Sequence, residues 1–288
     1  MSNKEEEQVE SAFEKVKAEI ENRLKFVDHK IAILSNKGGV GKTTVAVNLA
    51  AAFVAFYGMD VALLDVDIHG PNVPKALGLS KVIPRVDEEK NVIYPAIVFP
   101  RLAVMSMYYM TKDEDPIVLR GPLKTSYISS ILQATDWGRR DILIADCPPG
   151  TGDEILTFLQ DVPSLDGIVI VTAPDPLSEL DVKKAINFGK ILEIEILGII
   201  ENMSYMKCPH CEELIEPFGE SIGEKLANEF DVPFLGRLPF DPNISRSIKE
   251  DQKPFILNYL DSPTAKEFEK VTKKILSILT SKERRAKT

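Results

Sequence analysis

The sequence has few cysteines and no long apolar segment, and each scarcity excludes a class of protein. Its 288 residues include three cysteines, which is too few and an odd number for the disulfide framework of a small secreted domain. No apolar run approaches the ~18–20 residues that a membrane-spanning helix needs. Residues Met1 to Glu7 are acidic and lack the basic and apolar regions of a signal peptide. We therefore expect a cytoplasmic protein that has no membrane partner.

Basic residues are also in the minority. Lysine and arginine total 35 against 44 aspartate and glutamate residues, so the formal net charge is −9 at pH 7. Nucleic-acid backbones select basic surfaces, so this balance argues against a nucleic acid as the main partner. With 44% hydrophobic and 27% charged residues, a chain of this length can bury a large core as an α/β domain.

A glycine-rich segment, SNKGGVGKTT, follows the first strand-like apolar run and precedes a helical pattern. Glycines lack Cβ atoms, so the backbone N–H groups of such a loop can approach a triphosphate closely. The positive end of the following helix faces the same anion. Lys42 is expected to reach the β- and γ-phosphates and to act in catalysis, and Thr43 is expected to bind Mg²⁺. The residues predicted to bind the nucleotide in this phosphate-binding loop are Gly38, Gly39, Val40, Gly41, Lys42, Thr43 and Thr44.

Lys37 is a second lysine in the same loop, and Asn36 stands where the usual pattern has a glycine. Because Lys42 already supplies a cation for binding, Lys37 is not needed for that purpose. A lysine at the mouth of the loop is better placed to meet a phosphate across a subunit interface, as an arginine finger does. We therefore predict that Lys37 is catalytic in a dimer.

Two further hydrophobic strands end in carboxylates. The run VALLDVD places Asp65 and Asp67 at i and i+2, so both side chains point the same way, and the run DILIAD ends in Asp146. A strand-end aspartate beside a phosphate-binding loop holds Mg²⁺ through water, which is the role expected of Asp146. Asp67 is the candidate for orienting or activating the attacking water, and Asp65 lies close enough to assist. Gly150 would let a backbone N–H approach the γ-phosphate.

Strand-like segments alternate with helical segments along the whole chain. This alternation predicts a mostly parallel sheet with helices on both faces, a three-layer α/β/α fold, and its ligands should lie beyond the carboxyl ends of the strands. Residues 1–27 are predicted to form a charged helical arm, and 28–288 the nucleotide-binding domain, including a metal loop at 203–219. The predicted strands are 30–35, 60–66, 141–146, 167–172, 195–201 and 233–237, and the predicted helices include 42–57, 122–135, 178–192, 220–230 and 263–281, with an irregular hairpin-like stretch at 80–106.

Cys208 and Cys211 form a C-x-x-C pair in a loop. Two cysteines at this spacing can supply half of a four-cysteine zinc or iron–sulfur site. A redox disulfide is one alternative, although that motif normally opens a helix after a strand, and a structural zinc site is another. A four-thiolate site would require a dimer, or His210 as a further ligand; we expect His210 to be exposed and Cys147 to be a packing residue. Residue chemistry alone leaves the iron–sulfur, zinc and redox interpretations open.

These motifs together resemble a known family. The segment KGGVGKTT is similar to the deviant Walker A loop of the MinD/ParA/nitrogenase-iron-protein group, a group of P-loop NTPases. Within that group, the chain resembles the Mrp (ApbC) family of iron–sulfur cluster carriers over about residues 28–260. The segments that carry this second resemblance are Asp65 to Pro74, Asp146 to Asp153, Glu201 to Ser204 and Cys208 to Cys211.

The resemblance implies a homodimeric ATPase that carries a cluster. Two subunits would meet face to face, with Lys37 reaching the nucleotide of the partner. A labile [4Fe–4S] cluster would be shared between the Cys208 and Cys211 pairs of the two subunits and passed to apo iron–sulfur proteins. The eukaryotic cytosolic branch of the family has an additional N-terminal cysteine cluster, but residues 1–30 contain no cysteine. A second, stable cluster is therefore not expected.

The choice of nucleotide also depends on the resemblance. The cofactors it implies are ATP, Mg²⁺ and the [4Fe–4S] cluster. Asn202 can pair with a base edge because its amide has both a donor and an acceptor. In the family pattern, this asparagine and a segment that includes Pro239 and Phe240 flank the adenine, which favours ATP over GTP.

A MinD/ParA-type positioning ATPase is the alternative function. Its membrane-bound form would need a C-terminal amphipathic helix, and residues 263–288 have apolar side chains at helical spacing with a basic end. That stripe is more simply explained by a helix that faces the core. A positioning ATPase has no use for Cys208 and Cys211, so the cysteines favour the carrier. A reductase like the nitrogenase iron protein is disfavoured, because its cluster cysteines occupy single positions elsewhere.

Overall fold

The structure is a computed structural model that describes residues 3–77, 83–110, 121–175, 178–208, 210–251 and 253–286. Eight strands form one sheet, with helices on both faces, as the alternating sequence predicts. The strands of the chain are β1 (Val27–Ser35), β2 (Val61–Asp65), β3 (Arg85–Asp87), β4 (Val92–Tyr94), β5 (Ala96–Phe99), β6 (Leu102–Ser106), β7 (Arg140–Pro149), β8 (Gly167–Thr172), β9 (Ile196–Glu201), β10 (Met206–Lys207), β11 (Leu214–Ile215) and β12 (Phe234–Arg237).

The helices lie between these strands in the predicted order. They are α1 (Asn3–Leu24), α2 (Lys42–Tyr57), α3 (Val73–Ala76), α4 (Gly121–Ala134), α5 (Asp153–Asp161), α6 (Ser178–Ile191), α7 (Gly223–Phe230), α8 (Pro242–Arg246), α9 (Phe255–Asn258) and α10 (Pro263–Ala286). The long helices and the predicted strands agree with the structure to within a few residues. The stretch 80–106, predicted to be irregular and hairpin-like, contains the antiparallel pair β3–β4 and also β5 and the buried strand β6, which were not predicted as strands. The short helices α3, α8 and α9 and the pair β10–β11 were not predicted either.

The order of strands in the large sheet is β12-β9-β8-β1-β7-β2-β6-β5. All neighbouring pairs are parallel except β5 and β6. The mostly parallel fold predicted from the sequence is therefore confirmed. Because β1 lies between β7 and β8, the segments that follow these three strands meet at one edge of the sheet, where ligands of such folds bind.

The central strand β1 contributes to a separate core on each face of the sheet. Ile31 and Ile33 pack with α2, α9 and α10, whereas Ala32 and Leu34 pack with α1, α4, α5, α6 and α7. This follows from the alternation of side chains along a strand. A parallel strand covered on both faces is apolar at successive positions, which explains why residues 31–34, IAIL, do not alternate with polar residues.

Both terminal helices contact the domain. The apolar stripe of α10 is buried against α2 and β12, as expected for a helix that faces the core. On α1, Ile20 and Leu24 are buried, and Arg23 Nε donates to the Gln133 carbonyl over 2.8 Å. The division of the chain at residue 27 stays a prediction. In the described part of the chain, none of the helices is both long and apolar enough to cross a bilayer.

His29 lies at the opposite end of β1 from the glycine-rich loop, and its contacts predict how the stability of the fold depends on pH. Its Nδ1 is 3.4 Å from Asp166 and its Nε2 is 3.3 Å from Glu283 on α10. Interaction with the Asp166 carboxylate raises the pKa of His29 above 6.5, although burial opposes the shift. The folded state therefore binds the His29 proton more tightly than the unfolded state.

We expect the stabilisation that comes from protonated His29 to be complete below about pH 6 and to be lost as the pH rises through the folded-state pKa. This stabilisation is measured by thermal unfolding of the wild type and of His29→Gln at pH values from below about 6 to above the folded-state pKa. The two proteins should differ most in acid and converge in alkali. A difference that grows with pH would contradict the assignment.

Candidate functional site

The phosphate-binding loop joins β1 to α2 with two glycines in the left-handed region. Gly39 has φ 85° and Gly41 has φ 79°, conformations that residues with a side chain rarely adopt. Gly41 also lies against Asn202, so a Cβ atom at this position would overlap the Asn202 amide. Both the backbone and its neighbour therefore require glycine here.

Lys42, Thr43 and Asp146 form one hydrogen-bonded group at the start of α2. Lys42 Nζ lies 2.5 Å from Asp146 Oδ1, and Thr43 Oγ1 donates to Asp146 Oδ2 over 2.6 Å. The Lys42 and Asp146 side chains are buried. The fold thus brings together the two residues predicted to hold Mg²⁺, although they are 103 positions apart in the chain.

Asp65 is the immediate neighbour of Asp146 across the sheet, because β2 and β7 pair in register at these two residues. It accepts hydrogen bonds from Val73 N over 3.1 Å and from Ser106 Oγ over 2.9 Å. Burial and the adjacent Asp146 carboxylate raise the pKa of Asp65 well above its usual range. Burial also raises the pKa of Asp146, but the Lys42 ammonium opposes that shift. Two buried carboxylates thus share one close cation, an arrangement that favours binding of a further positive charge.

Ser106 belongs to this site and was missed in the sequence. It ends β6 and pairs in register with Asp65, which in turn pairs with Asp146, so polar side chains lie side by side on three neighbouring strands, β6, β2 and β7. The signal was a hydroxyl residue at the end of the apolar run LAVMS, the same pattern that identified the strand-end aspartates. It was not recognised because β6 lies in a stretch predicted to be irregular.

Asp67 begins the loop that follows β2 and organises that loop. Its Oδ1 accepts the backbone N–H groups of His69 over 3.2 Å and Gly70 over 3.0 Å. His69 Nε2 lies 3.9 Å from Glu154 on α5, so this loop meets the segment that follows β7. The structure places Asp67 half-buried beside the two buried aspartates. That Asp67 orients or activates the attacking water stays a prediction.

Gly150 follows β7 with φ 98°. Its backbone N–H donates to the Ser35 carbonyl at the end of β1 over 2.8 Å. The structure therefore places this glycine beside the phosphate-binding loop, with its N–H hydrogen-bonded to the loop's first residue. Its predicted contact with a γ-phosphate would replace that hydrogen bond.

Lys37 forms an ion pair with Asp175, which follows β8. The side chain of Lys37 remains 40% exposed, at the mouth of the loop where the sequence places it. Beside it, Asn36 Nδ2 donates to Asp181 on α6 over 3.0 Å. These contacts hold the mouth of the loop to the β8–α6 connection, and the predicted contact of Lys37 with a partner's nucleotide requires the Asp175 pair to open.

Asn202 lies directly beneath the phosphate-binding loop. Its Nδ2 donates to the Val40 carbonyl over 2.9 Å, and its backbone N–H donates to the Thr172 carbonyl over 2.8 Å. The side chain that was predicted to meet adenine is thus buried against the loop backbone. Of the other two residues predicted near adenine, Pro239 is buried and Phe240 is 40% exposed.

The two spaced cysteines lie on a small hairpin outside the main sheet, residues 206–215, which we call the cysteine hairpin. Strands β10 and β11 pair antiparallel at its base. Cys208 N donates to the Glu213 carbonyl over 2.8 Å, and Glu212 N donates to the Cys208 carbonyl over 3.0 Å. Glu212 adopts φ 61°, which turns the chain back on itself.

The thiols of this hairpin are more accessible than the third cysteine, and the pKa of Cys208 is shifted in the opposite direction from that of Cys147. Backbone N–H groups of His210 and Cys211 lower the pKa of Cys208, so its thiolate, the form that binds metals, is favoured. Cys211 and His210 are exposed, the latter as expected. Cys147 is fully buried, and burial raises the pKa of its thiol, which fits a packing residue. Pro209 lies outside the described residues.

The described residues of a single chain include no group of three or more histidine, cysteine, aspartate or glutamate side chains placed to hold a metal ion. Cys208 and Cys211 are therefore an incomplete ligand set by themselves. A cluster that takes four thiolates would need a second pair from another molecule.

A family model described as an NUBPL iron-transfer P-loop NTPase matches residues 26–276. The chain is also 45% identical over 260 residues to a protein of Methanocaldococcus jannaschii named iron–sulfur cluster carrier protein, an alignment that covers 90% of this chain and 88% of that one. The residues that the family model matches span both the glycine-rich loop and the cysteine hairpin.

Solved structures give the same picture of the fold. A nucleotide-binding protein of Archaeoglobus fulgidus, solved in complex with ADP, superposes with a TM-score of 0.73 at 33% identity, covering 88% of this chain and 96% of that one. The septum site-determining protein MinD of Pyrococcus horikoshii, complexed with Mg-ADP, superposes with a TM-score of 0.62 at 23% identity, covering 86% and 96%. The likeness to MinD shows a shared fold alone and gives no support to the positioning function considered above.

Proposed function

We propose an activity for this chain from the premise that it belongs to the NUBPL iron-transfer P-loop NTPase family. The chain is an ATP-binding and ATP-hydrolysing carrier that holds a labile [4Fe–4S] cluster as cargo and transfers it to apoproteins. The observation that carries the proposal is the cysteine hairpin. It presents two accessible thiols, one of them with a lowered pKa, in the segment that begins directly after Asn202 beneath the phosphate-binding loop.

The nucleotide half of the proposal depends on the buried group at the start of α2. Lys42 would meet the β- and γ-phosphates, and the amide groups of the glycine-rich loop would surround them. The hydroxyl of Thr43 and the carboxylate of Asp146 are the oxygen ligands that Mg²⁺ prefers. Once bound, Mg²⁺ would neutralise charge that develops on the phosphates. When Lys42 turns from Asp146 toward a phosphate, Asp146 becomes free to hold the metal through water.

Hydrolysis requires a water molecule in line with the γ-phosphate. Asp67 is the carboxylate that would orient or activate it, because it is half-buried and stands at the start of the loop after β2. Asp65 is fully engaged by Val73, Ser106 and the Asp67 backbone. Its part is to hold that loop in place.

The cluster half of the proposal requires two copies of the chain. One molecule supplies Cys208 and Cys211, and four thiolates bind a four-iron cluster. A homodimer would bring the two cysteine hairpins together and place Lys37 of each subunit toward the nucleotide of the other. The geometry of the dimer would then set how firmly the cargo is held.

Lys37→Ala tests the dimeric active site. Nucleotide affinity should survive, because Lys42 remains, whereas hydrolysis should fall by about 10³-fold or more, the scale of an arginine finger. ATP-dependent dimerisation, followed by light scattering, should weaken as well. The matched control is Lys225→Ala, which removes a lysine of α7 that is 66% exposed and forms a similar ion pair. Equal turnover in Lys37→Ala and the control would make Lys37 a surface charge only.

Anaerobic reconstitution with iron and sulfide tests the function as a whole. We expect the visible absorption and Mössbauer spectra of a [4Fe–4S] cluster, one cluster per two chains, and transfer to an apo acceptor protein. The same protein should hydrolyse ATP. Tight binding of zinc without uptake of iron would instead support a structural metal site.

A further inference from the structure

The segment that carries the cysteines leaves the sheet after Glu201 and ends at the start of α7, where its backbone contacts the Glu201 side chain. This last residue of β9 is fully buried, and its carboxylate accepts the backbone N–H groups of Ile222 over 2.8 Å and Gly223 over 2.7 Å. It also accepts the Ser204 hydroxyl. Residues 202–222 are thus a closed loop fastened at its base by Glu201, and the same carboxylate fixes the start of α7.

Arg237 of β12 also holds this loop by hydrogen bonds, at residues closer to the cysteines. Its Nε donates to Ser204 Oγ over 2.6 Å, and its terminal nitrogen donates to Glu216 Oε1 over 2.5 Å. The guanidinium also lies 5.4 Å from the centre of the Tyr205 ring. One side chain therefore contacts the loop both before and after the cysteine hairpin.

The two residues that hold this loop, Glu201 and Arg237, are close in the chain to residues predicted to bind the nucleotide. Glu201 is followed by Asn202, whose amide donates to the Val40 carbonyl of the phosphate-binding loop. Arg237 is three residues from Phe240, whose ring meets Phe218 edge-on at 6.1 Å. The backbone N–H of Phe240 donates to the Tyr205 carbonyl over 2.6 Å. The phosphate-binding loop and the loop of residues 202–222 are thus connected through short, directly bonded steps.

We propose that Arg237 is a positioning residue that couples the nucleotide site to the cysteine hairpin. It ties the hairpin to the part of the sheet that Asn202 links to the phosphate-binding loop, so that nucleotide binding changes the accessibility of Cys208 and Cys211. The use of this coupling to hold or release cargo rests on the proposed function; the coupling itself does not. An arginine is required because its planar fork donates in two directions at once, to Ser204 and to Glu216, which a lysine ammonium cannot reproduce in the same geometry.

Thiol alkylation of the full-length, cluster-free protein under anaerobic conditions tests the coupling without any cluster. Iodoacetamide labelling of each cysteine is followed by mass spectrometry with and without Mg-ATP, and buried Cys147 serves as the internal reference. In the wild type, we expect Mg-ATP to change the labelling rate of Cys208 and Cys211 by roughly fivefold or more, the lower end of ordinary coupling between sites.

Three variants and one control decide the role of Arg237. In Arg237→Gln the labelling rate should be the same with and without Mg-ATP, while ATP affinity, measured by calorimetry, stays within about twofold of the wild type. Arg237→Lys should not restore the difference, and Glu216→Gln, at an exposed position, should reduce it in part. Arg139→Gln is the matched control, because Arg139 is exposed at the opposite end of the sheet. It should behave as the wild type does.

The outcomes separate this inference from the proposed function. The coupling is overturned if Mg-ATP leaves wild-type labelling unchanged, or if Arg237→Gln and Glu216→Gln keep the full wild-type difference. A protein that shows the Arg237-dependent difference but takes up no cluster would retain the coupling and lose the carrier function. A merely structural role for Arg237 predicts lower thermal stability and faster labelling in Arg237→Gln with the nucleotide effect retained, which also counts against coupling.

Discussion

Lys42→Ala should abolish tight ATP binding. Lys42 is the buried cation of the site, 2.5 Å from Asp146, and the alanine would leave the triphosphate facing two buried carboxylates without it. Loss of one partner from a buried, hydrogen-bonded charge pair costs about 2–5 kcal/mol, so affinity measured by calorimetry should fall by at least ~30-fold. Lys90→Ala is the matched control, because Lys90 is exposed on the β3–β4 turn and should bind ATP normally. Unchanged affinity in Lys42→Ala would refute the phosphate-binding assignment.

The same substitution should change how stability depends on pH. Without Lys42, Asp146 is buried beside Asp65 with no cation, and this pair of carboxyl groups will retain a proton in the folded state. Because the folded state then binds more protons than the unfolded state, stability falls as pH rises above the ordinary carboxyl range. Thermal unfolding at about pH 5 and about pH 8 should therefore show a larger deficit in the more alkaline buffer. A folded variant that has lost ATP binding separates loss of the site from loss of the fold.

The parts of the site that could be predicted from the sequence are those set by local rules. The turn of the phosphate-binding loop depends on glycines next to one another in the chain. Asp65 and Asp146 lie at or near the carboxyl ends of buried strands, and all parallel strands present their carboxyl ends at one edge of the sheet. Their proximity therefore follows once the strands are identified, even though the register that makes them direct neighbours is visible only in the structure.

The contacts that could not be predicted join residues far apart in the chain. Asn202 and Val40 are 162 positions apart, and Lys37 and Asp175 are 138 apart. Asn202 shows the consequence. The structure buries this side chain beneath the loop, because the order of strands brings the end of β9 beside the end of β8, and its contact with adenine stays a prediction. Tertiary packing, not local propensity, decides which donor fills such a position.

The missed elements are too short to carry a periodic signal. Strands β10 and β11 have two residues each, and α3 has four, whereas an amphipathic pattern needs about 11 or more residues to be distinguished. These short pieces nevertheless position residues on which the proposed function depends. The β10–β11 pair holds the two cysteines in a hairpin. The Arg237–Glu216 contact stabilises this hairpin, and it depends on the pairing of β12 with β9. That pairing joins residues too far apart in the chain to be read from a short stretch of sequence.

Cys208→Ser and Cys211→Ser should each lose the cluster while keeping ATP binding and the fold. The cysteine hairpin lies outside both cores, and every described residue from His210 to Glu220 is exposed, so a serine there removes a ligand without disturbing packing. Iron and sulfide analysis after anaerobic reconstitution measures the cluster. Thermal unfolding and ATP affinity should match those of the wild type. Cys147→Ser is the control: its sulfur is fully buried in the core, so it should lower stability and leave cluster content unchanged.

The stoichiometry of that experiment decides whether the cargo is shared. One chain offers two thiolates, and a four-iron cluster takes four, so the wild type should hold one cluster per two chains and shift toward a dimer when it is reconstituted. Mixing wild-type chains with Cys208→Ser chains should then give heterodimers with a weakened cluster. In such a dimer the wild-type chain supplies two thiolates and the variant chain supplies one, from Cys211. A monomer that holds a full cluster would refute the shared site. Loss of the cluster in Cys147→Ser would mean that the carboxyl end of β7 contacts the metal, and that Cys147 is not merely a packing residue.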